Sequence, residues 1–282
     1  MSVSYNPEYD PTGMEGGVDT NVVPWLDLDQ APGLRFKPLR ASTETGQFSA
    51  IVQFPAGVEL PPMVYLGSMD MMVLSGQMTY TQGDLAGTVT PGTWGYIPAN
   101  SRVEGLVIDE TSEVSITFYG PVAFLGSDGR TINSILTSLD IQAACRDRGI
   151  TLVPNTLAEC AQPRAVPYDG PSEPLAIAGL DSDELVGKVE DVAGDGSAIT
   201  HPHFVDTKAL AWLTFDAVPD YGIKLLRISE ETGAVSLIAL HNGVAGPHYH
   251  LGPADFLILS GRIGYRSGPQ EGYGPGVWFY EP

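Results

Sequence analysis

The chain of 282 residues is longer than one ordinary domain, and its 43% of hydrophobic residues can build two cores. Its formal net charge of −20 repels nucleic-acid phosphates and anionic membrane surfaces, so neither is an expected partner. The 33 glycines and 23 prolines favour a turn-rich, all-β fold over a helical one.

The N-terminal segment, residues 1–20, is predicted to be an arm that precedes the first domain. It has neither the basic region nor the apolar stretch of a signal peptide, and no apolar run in the chain approaches the ~20 residues that span a bilayer. The two cysteines, Cys145 and Cys160, are too few for a disulfide framework, and we expect reduced thiols. The sequence therefore predicts a soluble, cytoplasmic protein.

An internal repeat organises the rest of the chain. Three blocks return in the same order with offsets of 184 to 187 residues: KPLRASTETG (37–46) as KLLRISEETG (224–233), LSGQMTY (74–80) as LSGRIGY (259–265), and PGTWGYIP (91–98) as PGVWFYEP (275–282). Similarity that keeps its order over three blocks indicates a duplication.

Each copy has the pattern of short strands. The first copy is assigned to residues 21–126 and contains the apolar runs FSAIVQF and MDMMVLSG. The second copy is assigned to residues 201–282 and contains the corresponding runs VSLIALH and ADFLILSG. Short strands separated by frequent turn signals predict a sandwich or a barrel.

The segment between the copies, residues 127–200, has a different texture. Residues 131–149 are predicted to form a helix that ends at Gly149, because apolar side chains recur there at helical spacing: Ile132, Ile135, Leu136, Leu139 and Ala143. Residues 151–200 are rich in Pro, Asp and Gly. We expect one or two short helices followed by an acidic linker.

Two histidines of the second copy point to a metal site. His248 and His250 lie two residues apart in GVAGPHYHLGPADFLILSG, residues 243–261. On a strand such residues share a face, so both imidazoles can chelate one metal ion inside a barrel. His241 ends the run VSLIALH and is either a further or substitute ligand, a donor to a ligand, or a plain turn residue.

These residues resemble the cupin superfamily. Its first motif is G-x5-H-x-H-x3-4-E-x6-G, and its second, G-x5-P-x-G-x2-H-x3-N, begins like residues 276–282. The stretch HYHLGPADFLILSGRIGYR, with R-x-S-x-E-T-G upstream, is similar to the branch of ChrR-type anti-sigma cupins and of dioxygenases that cleave β-diketones or hydroxyaryl ketones. The resemblance implies two tandem jelly-roll barrels joined by the partly helical, acidic linker, and commonly a homodimer.

The resemblance also implies a function. In the dioxygenases of this branch a three-histidine Fe(II) site binds a small diketone or aryl ketone and admits dioxygen beside it. Two of these ligands fall on His248 and His250. Zn, Mn and Ni are further candidates for the metal, and a chain without metal is the limiting case. The alternative function is a non-catalytic sensor or small-ligand-binding module with a degenerate metal site.

The second copy has one residue fewer than the motif between Gly243 and His248, and it departs from the motif at two ligand positions. The glutamate position falls on Ala254, which cannot bind a metal, and its neighbour Asp255 is expected to be structural because strand alternation turns it outward. The third histidine and the closing strands would follow Pro282, where the chain ends. Truncation is the favoured explanation, against strands from a partner subunit or cover by the N-terminal arm.

The first copy has lost the metal ligands. Alignment of the copies puts Met63 and Tyr65 at the two histidines, Met69 at the glutamate and Val103 at the third histidine. Such a soft interior can hold a small apolar ligand, but we expect it to be filled by its own core side chains. A ligand pocket is predicted at positions from both copies: Met63, Tyr65, Met69, Tyr265, Trp278 and Tyr280.

Overall fold

The computed structural model describes residues 17–160, 168–179, 182–188, 201–216, 218–244 and 250–282. The strands of the first half are β1 (Gly17–Asp19), β2 (Leu26–Asp27), β3 (Arg35–Ala41), β4 (Phe48–Phe54), β5 (Met63–Tyr65), β6 (Met69–Tyr80), β7 (Gly87–Val89), β8 (Thr93–Ile97), β9 (Ser101–Val103), β10 (Leu106–Phe118), β11 (Val122–Leu125) and β12 (Ile132–Leu136). The strands of the second half are β13 (Phe204–Asp206), β14 (Leu213–Phe215), β15 (Val218–Ile228), β16 (Val235–His241), β17 (Ala254–Leu257) and β18 (Val277–Glu281). The helices are α1 (Ser138–Arg148), α2 (Leu157–Cys160) and α3 (Ser182–Val186), with 3-10 turns at Ala176–Gly179 and Thr207–Ala209. Strands dominate, which confirms the all-β prediction.

The first copy consists of two sheets packed around one core. One sheet has the order β13-β8-β6-β10-β4-β3-β2, with β7 paired to β6, and the other has the order β12-β11-β5-β9. Side chains from both sheets form one apolar core, in which Phe48 and Phe118 stack with ring centroids 4.5 Å apart. The alternating apolar residues of β4 and β6 thus bury one face inside the barrel.

The two copies exchange their first strands. The tripeptide VDT occurs at 18–20 and again at 205–207. Strand β1, the end of the predicted N-terminal arm, acts as the first strand of the first copy and pairs with β18 of the second, and β13 of the second copy pairs with β8 of the first. The threonine after each strand donates its hydroxyl to a glycine carbonyl of the other copy, Thr20 to Gly276 at 2.5 Å and Thr207 to Gly92 at 2.7 Å. The exchange makes one folded unit of the two copies.

One alternative from the sequence was that the N-terminal arm covers the open side of the second barrel, and the strand exchange tests it. Residues 17–19 of the arm do pair with β18. However, β13 pairs in the same way with β8 in the copy that has its closing strands. The pairing is therefore a regular feature of the repeat and does not substitute for closing strands.

The second copy is open in the described residues. In the first copy β10 lies between β4 and β6, whereas their counterparts β16 and β17 belong to separate sheets, β14-β15-β16 and β1-β18-β17. The side chains of Val235 and Leu237, which correspond to the buried Phe48 and Ala50, are 51% and 39% exposed. One inner face of this copy is consequently accessible.

Two equivalent lysines are buried where the copies meet. Lys37 donates to the backbone carbonyl of Thr20 at 2.7 Å, and Lys224 donates to that of Thr207 at 2.9 Å. Each ammonium also lies over a tryptophan ring, at 4.9 and 5.1 Å from the centroid. Burial lowers the pKa of Lys37 to about 8. The repeat has thus preserved a cationic anchor for each exchanged strand.

The predicted helix between the copies is only partly correct. Residues 132–136 form β12, because INSIL satisfies a strand as well as a helix and pairs with β11. Helix α1 begins after Thr137, whose side chain and that of Asp140 form a capping box, and it ends at Gly149 with φ of 67° as predicted. Within the described residues, no helix combines the length and the apolar composition that crossing a bilayer requires.

Candidate metal centre

The first copy shows which way the equivalent site residues face. Met63, Tyr65 and Phe54 line a small apolar cavity inside this barrel, and they are at most 6% exposed. Met69 lies in the same core at 1% exposure. Their sequence counterparts in the second copy are His248, His250, His241 and Ala254, in that order. In the first copy, the positions that align with the predicted metal ligands are thus interior positions.

His250 contacts a carboxylate. Its Nδ1 atom lies 3.3 Å from Oε2 of Glu281, and both side chains are about one-third exposed. The other carboxylate oxygen, Oε1, accepts a hydrogen bond from the hydroxyl of Tyr265 at 3.1 Å. Burial raises the pKa of Tyr265 above its usual range, and the adjacent Glu281 raises it further, so the phenol remains a donor. An imidazole, a carboxylate and a phenol are thereby brought together.

Glu281 occupies the place of an apolar residue in the first copy. It pairs directly with Ala254 across strands β17 and β18. The corresponding pair in the first copy is Met69 with Ile97, and both of those side chains are buried in the barrel core. The carboxylate of Glu281 therefore lies on the strand next to the position where the cupin motif has its glutamate, directly opposite that position.

The other predicted ligands are placed less completely. His248 lies outside the described residues. His241 is the last residue of β16, pairs with Tyr221 on β15, and meets the ring of that tyrosine edge-on at 5.6 Å. Among the described residues there is no group of three His, Cys, Asp or Glu side chains that could hold a metal ion. The contact of His250 with Glu281 is the part of the site that can be described.

Asp255 turns away from this site. Its carboxylate accepts a hydrogen bond from Thr117 of the first copy at 3.2 Å, in agreement with the structural role expected from strand alternation.

The predicted pocket residues divide between two faces. Tyr265 stacks on Phe279 in a small core of the second copy. Trp278 and Tyr280 alternate with Phe279 and Glu281 along β18, so they point to the opposite face and pack in the cluster between the copies. Alternation separates them from the side of the strand that carries Glu281.

Sequence reasoning missed Glu281 as a site residue. The signal was present: in the aligned blocks PGTWGYIP and PGVWFYEP, an isoleucine of the first copy is replaced by a glutamate in the second. An interior apolar position that gains a charge requires a partner for that charge.

The chain is similar to known proteins over both copies. A family model described as "ChrR Cupin-like domain" matches residues 14–123 and 200–282. The chain is 26% identical over 119 residues to the acetylacetone-cleaving enzyme of Acinetobacter johnsonii, a match that covers 42% of this chain and 78% of that protein. The crystal structure of an acetylacetone dioxygenase from the same organism aligns with a TM-score of 0.40 at 22% identity and covers 46% of this chain and 88% of that one. A protein from Nostoc punctiforme PCC 73102 aligns over 100% of this chain and 81% of its own, with a TM-score of 0.53 at 14% identity, which shows a shared fold.

Proposed function

We propose that this chain, which belongs to the ChrR cupin-like domain family, binds a divalent metal ion and acts as a dioxygenase on a small diketone or aryl ketone. The proposed metal is Fe(II), held by His248 and His250, with His241 as a further candidate ligand. The observation that carries the proposal is the contact of the His250 imidazole with the Glu281 carboxylate, at the position of the repeat where Tyr65 faces the interior of the first copy.

The donor set suits such a metal. Imidazole and carboxylate ligands with open positions favour Fe(II) and also accept Zn, Mn and Ni. When bound, the metal supplies a Lewis acid that polarises the oxygens of a diketone and a place for dioxygen beside them. His250 would hold the metal, and the apolar side chains of Phe256 and Phe279, stacked at 4.9 Å, would give the organic substrate an apolar surface. The similarity to acetylacetone-cleaving relatives supports this substrate class.

The test is metal content. Protein purified without an affinity tag is compared with His248→Ala and, as a control, His201→Ala, whose imidazole contacts the Ala86 carbonyl at 3.2 Å in the other copy. We expect about one iron per chain in the wild type and the control and loss of iron in His248→Ala, as for a mononuclear site. Wild-type protein that binds no divalent metal after anaerobic reconstitution would contradict the proposal.

Oxygen uptake with pentane-2,4-dione separates the enzyme from its alternative. Uptake that depends on the metal and on His248 supports the dioxygenase. Stoichiometric metal binding without oxygen uptake on β-diketones or hydroxyaryl ketones favours the non-catalytic sensor or binding module. The cavity of the first copy, which has apolar side chains in place of the metal ligands, also suits a binding module.

Homodimerisation and a cytoplasmic location remain predictions. Light scattering coupled to size exclusion tests the first, and a mass of one chain would contradict it. The small-molecule partner stays part of the same proposal as the metal.

A further inference from the structure

We infer that Glu281 is itself a metal ligand and replaces the glutamate that the motif has lost at Ala254. The inference rests on the proposed metal site and adds to it a carboxylate from a different strand. It assigns His250 and Glu281 as ligands of the same ion.

The strand register carries the first step. Ala254 and Glu281 are directly paired residues of β17 and β18. Directly paired residues on adjacent strands project to the same face with Cβ atoms about 4.5–5.5 Å apart. A carboxylate moved from one member of such a pair to the other therefore still faces the same side of the sheet.

The distance between donor atoms carries the second step. Two atoms that bind one metal at about 2.1 Å each, at an angle near 100–110°, are separated by roughly 3.2–3.4 Å. Nδ1 of His250 and Oε2 of Glu281 are 3.3 Å apart. A charge-assisted hydrogen bond between the same two groups is shorter, about 2.7–2.9 Å. The observed separation lies within the range expected for two ligands of one ion.

The hydrogen bond of Tyr265 carries the third step. The phenol holds Oε1 of Glu281, and the second oxygen is left directed at His250. Ligating carboxylates are commonly oriented in this way by a hydrogen bond to the oxygen that does not bind the metal. The nearby carboxylate of Asp255 is engaged by Thr117 on the other face of the strand, so it does not compete for the role.

The experiment is a titration with Co(II), followed by the absorbance of the bound ion, on the full chain and three variants. Glu281→Gln keeps the shape of the side chain and removes the anionic donor. Glu281→His supplies a different donor that can bind a metal but cannot act as a carboxylate partner of His250. Glu231→Gln, at an exposed position, is the matched control.

We expect Glu281→Gln to weaken Co(II) binding on the order of 100-fold or more, and Glu281→His to recover most of the affinity with an altered spectrum. The control should bind like the wild type. Equal binding by Glu281→Gln and wild type overturns this inference and leaves the proposed function standing. The inference is also overturned if Glu281→His loses as much Co(II) affinity as Glu281→Gln, because Glu281 then only positions His250. Absence of Co(II) binding by the wild type overturns the proposed function as well.

Discussion

The guanidinium of Arg40 lies 3.8 Å from the centroid of the Tyr280 ring, which belongs to the other copy of the repeat. The reciprocal pair, Arg227 and Tyr96, has the same separation of 3.8 Å. Both arginines are equivalent in the repeat, as are both tyrosines. Together with the exchanged strands, this relationship means that the two copies meet through the same face of each, related by a pseudo-twofold axis.

Loss of the Arg40 contact should destabilise the chain measurably. Arg40 is 7% exposed, so its cation–π contact with Tyr280 is desolvated, and such contacts contribute about 2 kcal/mol. We expect Arg40→Ala to lower the free energy of unfolding by roughly this amount in urea titrations, while the exposed control Arg130→Ala changes it by less than about 0.5 kcal/mol. A double-mutant cycle with Tyr280→Leu should give a coupling energy near 2 kcal/mol. Additive effects would show that the stacking is incidental.

The strand exchange makes a second prediction. The hydroxyls of Thr20 and Thr207 are buried donors to carbonyls of the opposite copy. Replacement by the isosteric valine removes this hydrogen bond at a cost of about 0.5–1.5 kcal/mol, because the backbone N–H of the same residue still donates to the carbonyl. We expect Thr20→Val and Thr207→Val each to lower the thermal midpoint by several degrees, whereas Thr88→Val, on the exposed edge strand β7, has little effect. An unchanged midpoint in both buried variants would mean that the exchanged strands contribute little to stability.

Asp70 gives a prediction on pH. It accepts a hydrogen bond from Tyr119 at 2.9 Å, but its Oδ1 atom is buried and has no partner among the described residues. Burial raises its pKa, although Tyr119 and Arg227 lower it in part and Asp255 raises it further. Since the folded pKa exceeds the unfolded one, the stability that the protonated group contributes is lost as pH rises through the folded pKa. Asp70→Asn should therefore be more stable than the wild type at pH 7, and the difference should disappear near pH 4.

Asp128 is the control for the Asp70 prediction, because its pKa is lowered in the folded state and not raised. Hydrogen bonds from Thr131 and from the backbone of Arg130 lower its pKa to about 2. Its ionised form stabilises the fold above the unfolded pKa, and this contribution is lost as pH falls toward 2. We expect Asp128→Asn to be less stable than the wild type at pH 7, with a deficit that shrinks in acid. A deficit for Asp70→Asn at pH 7 would contradict the assignment of Asp70 as a destabilising buried carboxylate.

The sequence predicted much of the fold because the strand signals are local. The runs FSAIVQF and VSLIALH form β4 and β16 with the bounds that their apolar residues suggest. Residues 132–136 were misassigned because Ile132, Ile135 and Leu136 satisfy helical spacing as well, and only their pairing with β11 decides between the two. That pairing joins residues 7 to 14 positions apart in a hairpin, and the apolar spacing within residues 132–136 alone does not contain it.

The candidate site likewise has one residue that a local sequence pattern predicts and one that depends on strand pairing. The His-x-His spacing is a local signal, and it identified His250 directly. Glu281 is 31 residues further along the chain and joins His250 only through the register of β17 with β18. The strand exchange was missed because a three-residue repeat, VDT, is too short to stand out before the pairing of β1 with β18 is known.

Tyr265 provides the final prediction. Its hydroxyl holds one oxygen of Glu281, and loss of such an outer hydrogen bond typically weakens metal binding 10–100-fold. We expect Tyr265→Phe to bind Co(II) about 10-fold more weakly than the wild type, which is less than the loss in Glu281→Gln, because the ligand remains but is no longer oriented. The matched control is Tyr273→Phe, whose ring meets Tyr265 edge-on at 5.9 Å in the same small core. Stronger loss in Tyr273→Phe than in Tyr265→Phe would show that packing, and not the hydrogen bond to Glu281, sets the affinity.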